Sequence, residues 1–87
     1  DYDTDELIGI FELIAGSKEY HLDDSGRARL GEVIDAEPRG RGFGNGRFVR
    51  NVFEAAVGHH ALRLADVDAP TDDQLTTLTG DDLHPVD

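Results

Sequence analysis

Residues 44–51 read Gly44-Asn45-Gly46-Arg47-Phe48-Val49-Arg50-Asn51. The glycines stop at Arg47 and apolar residues then recur at helical spacing, which predicts a helix from Asn45 or Gly46 to about Leu64. Arg47 and Arg50 are three residues apart and therefore lie on one face of the first turns. The planar guanidinium group of arginine binds two phosphate oxygens at once, and the N-terminus of a helix also attracts negative charge. The stretch is therefore a candidate anion site with Gly44, Asn45, Gly46, Arg47 and Arg50 as its residues.

The predicted helix has two distinct faces. The apolar face carries Val49, Val52, Phe53, Ala56 and His60, and the opposite face carries Arg47, Arg50, Asn51 and Glu54. An ordinary alternative remains open for the arginines. Arg50 and Glu54 have the spacing of a surface ion pair, and Arg47 is then simply solvated.

The flanking sequence predicts further helices and one short extended pairing. Helices are expected at about Thr4–Ala15 with Thr4 as N-cap, and at about Asp24–Ala36 with Asp23 or Asp24 as N-cap. Thr71 and Gln74 have the spacing of a capping box, and Leu78–Leu83 contains a second cap-like start. A pairing of Tyr20–Leu22 with Leu75–Leu78 is a further hypothesis. The predicted fold class is all-α: a small, up-down bundle of about four helices.

Size and composition limit the class of protein. Eighty-seven residues are enough for one small domain, 1–87, and the chain has neither cysteine nor methionine. The missing initiator methionine leads us to expect a piece of a longer protein. No apolar run approaches the roughly 20 residues of a membrane span, and no signal peptide is visible. A cytoplasmic location is therefore expected, without a membrane partner.

Charge is unevenly distributed along the chain. The formal net charge is −11, with −7 in residues 1–40, +3 in residues 41–65 and −7 in residues 66–87. Nucleic-acid binding needs a basic surface, so DNA binding through the third helix is disfavoured. The Arg39-Gly40-Arg41-Gly42 segment is weak evidence for RNA binding in so acidic a chain. Nucleic acid is therefore not expected as a partner.

Other motifs do not support catalysis or metal binding. The glycines at 40, 42, 44 and 46 lack the Lys-Ser or Lys-Thr of a P-loop and follow no predicted strand. His59 and His60 are adjacent and point about 100° apart on a helix, so they cannot easily share one metal ion. The aspartates after residue 65 lack the glycine and glutamate of a calcium loop. No metal ligand set and no nucleophile–base pair is predicted.

Three stretches together resemble the C-terminal helical lid of AAA+ ATPases of the CbxX/CfqX group. They are the acidic start Asp1–Leu7, the segment Gly44–Glu54 with the later Ala61–Leu64, and the closing Leu78–Leu83. That group includes red-type rubisco activases, ATPases of type VII secretion and a sporulation protein. The resemblance covers nearly the whole chain.

The resemblance implies a role for each part of the candidate site. The arginine that ends the Gly-Asn-small-Arg motif is the family's sensor 2 residue, which corresponds to Arg47 and reaches the terminal phosphates of ATP. Arg50 would support it or contact a neighbouring protomer. ATP and Mg²⁺ would be held by a large subdomain that lies outside this chain, so the chain alone is expected to hold no cofactor and to be inactive.

The implied partners are that large subdomain, neighbouring protomers of a hexameric ring, and a protein substrate that the ATPase remodels. A competing interpretation from the charge pattern is a non-enzymatic acidic helical adaptor that binds a basic protein. The adaptor would not need Arg47.

Overall fold

The computed structural model describes residues 2–38 and 44–85. Its elements, in chain order, are α1 (Thr4–Ser17), β1 (His21–Leu22), α2 (Asp24–Ala36), α3 (Asn45–Leu64), α4 (Asp72–Thr76), β2 (Thr77–Leu78) and a 3₁₀ turn (Gly80–Asp82). The all-α prediction with a minimal pairing of extended segments is confirmed. The segment Arg39–Gly42, considered above for RNA binding, lies outside the described residues.

The helices begin where local capping residues allow. Asp3, rather than Thr4, caps α1, and a reciprocal bond between Asp3 and Glu6 completes a capping box. Asp23 caps α2, and Thr71 with Gln74 forms the predicted capping box of α4. An aspartate carboxylate accepts the free N–H groups of a first turn and also suits the helix dipole, which explains why Asp3 is the cap.

α1 ends later than the sequence indicated. The prediction placed the end at about Ala15 because Gly16 and Ser17 follow, but the helix includes both of these residues. Its C-terminus is closed by two backbone bonds, from Glu19 N to Gly16 O and from Tyr20 N to Ala15 O. This is a Schellman motif, and Glu19 takes its left-handed position with φ at 65°.

One apolar core joins the helices. Its fully buried large side chains come from α1, α2, α3 and the C-terminal segment, and include Phe11, Leu30, Val49, Leu78 and Leu83. Phe11 and Tyr20 both meet Phe53 of α3 edge-on, at ring-centroid distances of 5.7 and 6.0 Å. Within the described residues, no helix has the length and apolar character needed to cross a bilayer.

The C-terminal segment is an integral part of the fold. We call residues 77–83 the strap. β2 pairs in parallel with β1, in the register His21 with Thr77 and Leu22 with Leu78. The hypothesised pairing is confirmed over these residues, whereas Leu75 and Thr76, which it included, belong to α4. The 3₁₀ turn that follows packs against both α2 and α3. The strap therefore lies between these two helices.

Candidate functional site

The predicted anion site lies at the solvent-exposed start of α3. Gly44 is the N-cap, with extended backbone angles and no side-chain bond to the first turn, and Asn45 opens the helix. A Cβ built on Gly44 would lie 3.5 Å from Nη2 and 3.6 Å from Nε of Arg47. The Arg47 guanidinium therefore turns back over the N-terminal end of its own helix. Gly46 is exposed, and a Cβ built on it would meet no heavy atom within 4 Å.

The charge at this helix start is reversed relative to the other helices. α1, α2 and α4 each carry aspartate or glutamate in the first turn, as the helix dipole favours. Among the helices of the described residues, only α3 has no acid there, and its third residue is Arg47. A cation beside the positive end of a helix is unfavourable by about 0.3–1 kcal/mol unless an anion is bound. The start of α3 therefore attracts negative charge more strongly than the starts of the other described helices.

Arg50 lies one turn further along the same exposed face. Neither Arg47 nor Arg50 forms an ion pair with the residues described in the structure, and the spacing of Arg50 and Glu54 does not produce one. The predicted two faces of α3 are confirmed: Val49, Val52 and Ala56 are buried, whereas both arginines and Glu54 are exposed. Both guanidinium groups are consequently open to a ligand or a partner surface.

The histidines have structural contacts. His60 is buried on the apolar face of α3, hydrogen-bonds through Nε2 to Gln74 O at 2.9 Å, and meets the Tyr20 ring edge-on at 5.5 Å. His59 hydrogen-bonds through Nδ1 to the backbone oxygen of Asp82 at 3.2 Å. In residues 2–38 and 44–85, no three His, Asp or Glu side chains are arranged to hold a metal ion.

An ion pair between the partly exposed Arg63 and the buried Asp82 connects α3 to the strap, and the sequence did not reveal it. Arg63 Nε donates to Asp82 Oδ1 at 3.0 Å, and Arg63 Nη2 donates to Asp82 Oδ2 at 2.9 Å and to Thr77 O at 3.3 Å. Asp82 Oδ2 also accepts the Thr79 amide at 2.9 Å. Burial acts to raise the pKa of Asp82, but the bonds from Arg63 and Thr79 N and the Arg63 charge outweigh it, and the pKa is lowered.

The same pair acts on the arginine. The hydrogen bond to Asp82 and the nearby carboxylates raise the pKa of Arg63 against the opposing effect of burial. In the sequence, the only signal was the cap-like spacing of Thr79 and Asp82. Nothing indicated that the carboxylate would meet an arginine 19 residues earlier.

Comparisons with known proteins agree on one family. A family model described as AAA lid domain matches residues 3–87. The chain is 40% identical over 86 residues to protein CbxX of Cupriavidus necator, 32% over 93 residues to the ESX-1 secretion system protein EccA1 of Mycolicibacterium smegmatis, and 30% over 86 residues to stage V sporulation protein K of Bacillus subtilis. These alignments cover 94–95% of the chain but only 27%, 16% and 27% of the respective relatives.

Proposed function

We propose, from the premise that this chain belongs to the AAA lid domain family, that Arg47 is the sensor 2 residue of the lid of an AAA+ ATPase. In this role Arg47 binds the terminal phosphates of an ATP molecule whose remaining contacts come from the large subdomain. The observation that carries the proposal is the reversed charge at the start of α3, where an arginine and a glycine cap replace the acids found on the other described helices.

The chemistry of the site suits phosphate recognition. The guanidinium group stays charged at every relevant pH and offers parallel N–H donors to two phosphate oxygens. The uncapped N–H groups of the first turn face the same direction and favour negative charge. Arg50 would add a second positive charge on the same face, either toward the nucleotide or toward a neighbouring protomer.

The lid would convert the state of the nucleotide into movement. Phosphoryl transfer requires Mg²⁺ and positioning groups beyond Arg47, and these would come from the large subdomain. Loss of the γ-phosphate would remove the anion that Arg47 binds and release the lid to rotate as a rigid body. In a hexameric ring that rotation would move the next subunit and, through it, a protein substrate.

The test is Arg47→Ala in the longer protein that contains this lid. A hydrogen bond to a charged group contributes about 1.5–3 kcal/mol, so ATP turnover or nucleotide affinity should fall about 10- to 100-fold. Arg47→Lys keeps the charge but not the paired donors and should be intermediate. Steady-state turnover and a nucleotide titration measure both effects.

The matched control is Arg27→Ala, which also removes one positive charge. Arg27 lies on the exposed surface of α2, where its partner is Glu12 at 3.1 Å. Turnover of this variant should equal that of the wild type. An Arg47→Ala protein that binds and hydrolyses ATP normally and still assembles would contradict the sensor role.

A further inference from the structure

The strap connects α2 and α3, because these two helices pack on it far more than on each other. Leu78 and Leu83 of the strap are fully buried between the helices. On the α2 side, Asp23 N donates to Leu78 O at 3.1 Å, and Arg29 Nε donates to Leu83 O at 3.2 Å. The direction of α3 relative to α2 is therefore set through the strap on one side and through α1, which also packs on both helices, on the other.

On the α3 side, the ion pair of Arg63 and Asp82 provides the directional contact. The Asp82 side chain is 1% exposed, and both of its oxygens accept bonds from the Arg63 guanidinium. A third bond from Arg63, to Thr77 O, reaches the other end of the strap. A paired geometry of this kind fixes orientation as well as distance.

We propose that Arg63 and Asp82 are positioning residues, which lock the strap between α2 and α3 and so fix the direction of the helix that carries Arg47. This proposal rests on the proposed sensor role of Arg47. Arg47 and Arg63 are 16 residues apart on α3, or about 24 Å at 1.5 Å per residue. A tilt of α3 by about 10° about the Arg63–Asp82 pair would therefore move the start of the helix by about 4 Å. A misplacement of about 1 Å can reduce a rate about 100-fold.

The Arg63–Asp82 pair, which we call the lock, can be tested by amide hydrogen exchange in the longer protein. Asp82→Asn leaves Arg63 without its buried charge partner and should accelerate exchange of the strap amides and of Asp23 N by about tenfold or more. Arg63→Lys is milder, because it keeps the charge and loses the paired donors, and should give a smaller acceleration. The matched control is Glu12→Gln, which breaks the exposed Arg27–Glu12 pair and should leave strap exchange unchanged. Unchanged strap exchange in both lock variants would overturn the proposal.

The positioning role is tested by combining variants. If the lock acts through Arg47, Asp82→Asn should raise the KM for ATP or reduce turnover in the wild-type background. In the Arg47→Ala background, the same substitution should change either value less than twofold. If Asp82→Asn only destabilises the fold, its fold-change and that of Arg47→Ala should instead multiply in the double variant.

Three results separate the two proposals. If the fold-changes of Asp82→Asn and Arg47→Ala multiply in the double variant, the positioning role is overturned and the sensor role stays intact. The positioning role alone is also overturned if Asp82→Asn accelerates strap exchange but leaves ATP kinetics normal, while Arg47→Ala impairs them. An Arg47→Ala variant with normal kinetics removes the sensor role and the positioning role together, and the exchange data then decide only whether the lock exists.

Discussion

Glu19 occupies a backbone position that suits glycine better than glutamate. It is the left-handed residue of the Schellman motif at the end of α1, with φ at 65°. An L-residue in this conformation is disfavoured by about 1–2 kcal/mol, and glycine escapes most of that cost but loses more entropy on folding. Glu19→Gly should therefore raise the free energy of unfolding of the 87-residue chain by about 1 kcal/mol, measured by urea denaturation.

The control for that substitution is Glu19→Ala, which removes the same charge but keeps the strained φ. It should give no gain. A second control is Lys18→Gly at the neighbouring C-cap, where φ is −108° and glycine brings no relief. Stabilisation by Glu19→Ala equal to that by Glu19→Gly would show that charge, and not backbone conformation, limits this position.

At the scale of the element, the two glycines of α2 have opposite roles. A Cβ on Gly26 would lie 2.6 Å from the backbone oxygen of Leu78, so the close approach of the strap requires glycine there. Gly31 would meet only Ile8 Cδ1, at 3.8 Å, which is ordinary van der Waals contact. Gly26→Ala should destabilise the chain by about 1–3 kcal/mol, whereas Gly31→Ala should stabilise it by up to about 1 kcal/mol.

Urea midpoints of the two alanine variants and the wild type measure this difference within one helix. Their unfolding slopes should agree, so that the shift in midpoint reports stability alone. Equal effects of the two substitutions would mean that the strap does not approach α2 as closely as the structure shows.

At the scale of the whole molecule, the elements with strong local signals were predictable. Helical spacing predicted α2 and α3 with their observed bounds, and the spacing of Thr71 and Gln74 predicted the start of α4. The buried face of α3, including His60, followed from the same periodicity. These features depend on residues that are close together in sequence.

The features that were missed depend on tertiary contacts. The end of α1 was misplaced because Gly16 is tolerated inside the helix and Glu19, two residues after its last residue, takes the left-handed position that closes it. The pair of Arg63 and Asp82 was missed because the strap must first dock before the two charges meet. For the candidate site, the sequence proposed the residues, but the position of the Arg47 guanidinium beside Gly44 came only from the structure.

The acid stability of the molecule should reveal the ion pair of Asp82 with Arg63, although the chain has 19 acidic residues. The net charge of −11 at pH 7 moves toward zero as pH drops, which relieves the repulsion among the carboxylates. The pKa of Asp82 is lowered in the folded state, so its contribution is complete above the ordinary carboxyl pKa. That contribution is lost as pH falls from about 4 through the lower folded pKa, since protonation then favours the unfolded chain. The stability advantage of the wild type over Asp82→Asn should therefore be constant from pH 7 to about 5 and shrink below about 4.

Denaturant midpoints at pH 7, 5, 4 and 3 measure this gap. Asp81→Asn is the matched control, because Asp81 is the exposed neighbour of Asp82 and its replacement removes one charge without removing a buried pair. A gap between wild type and Asp82→Asn that stays the same down to pH 3 would show that the Asp82 carboxylate gains nothing from Arg63 on folding. The strap and α3 would then be held together by the packing of Leu78 and Leu83 and by the bonds of Arg63 and His59 to the strap backbone.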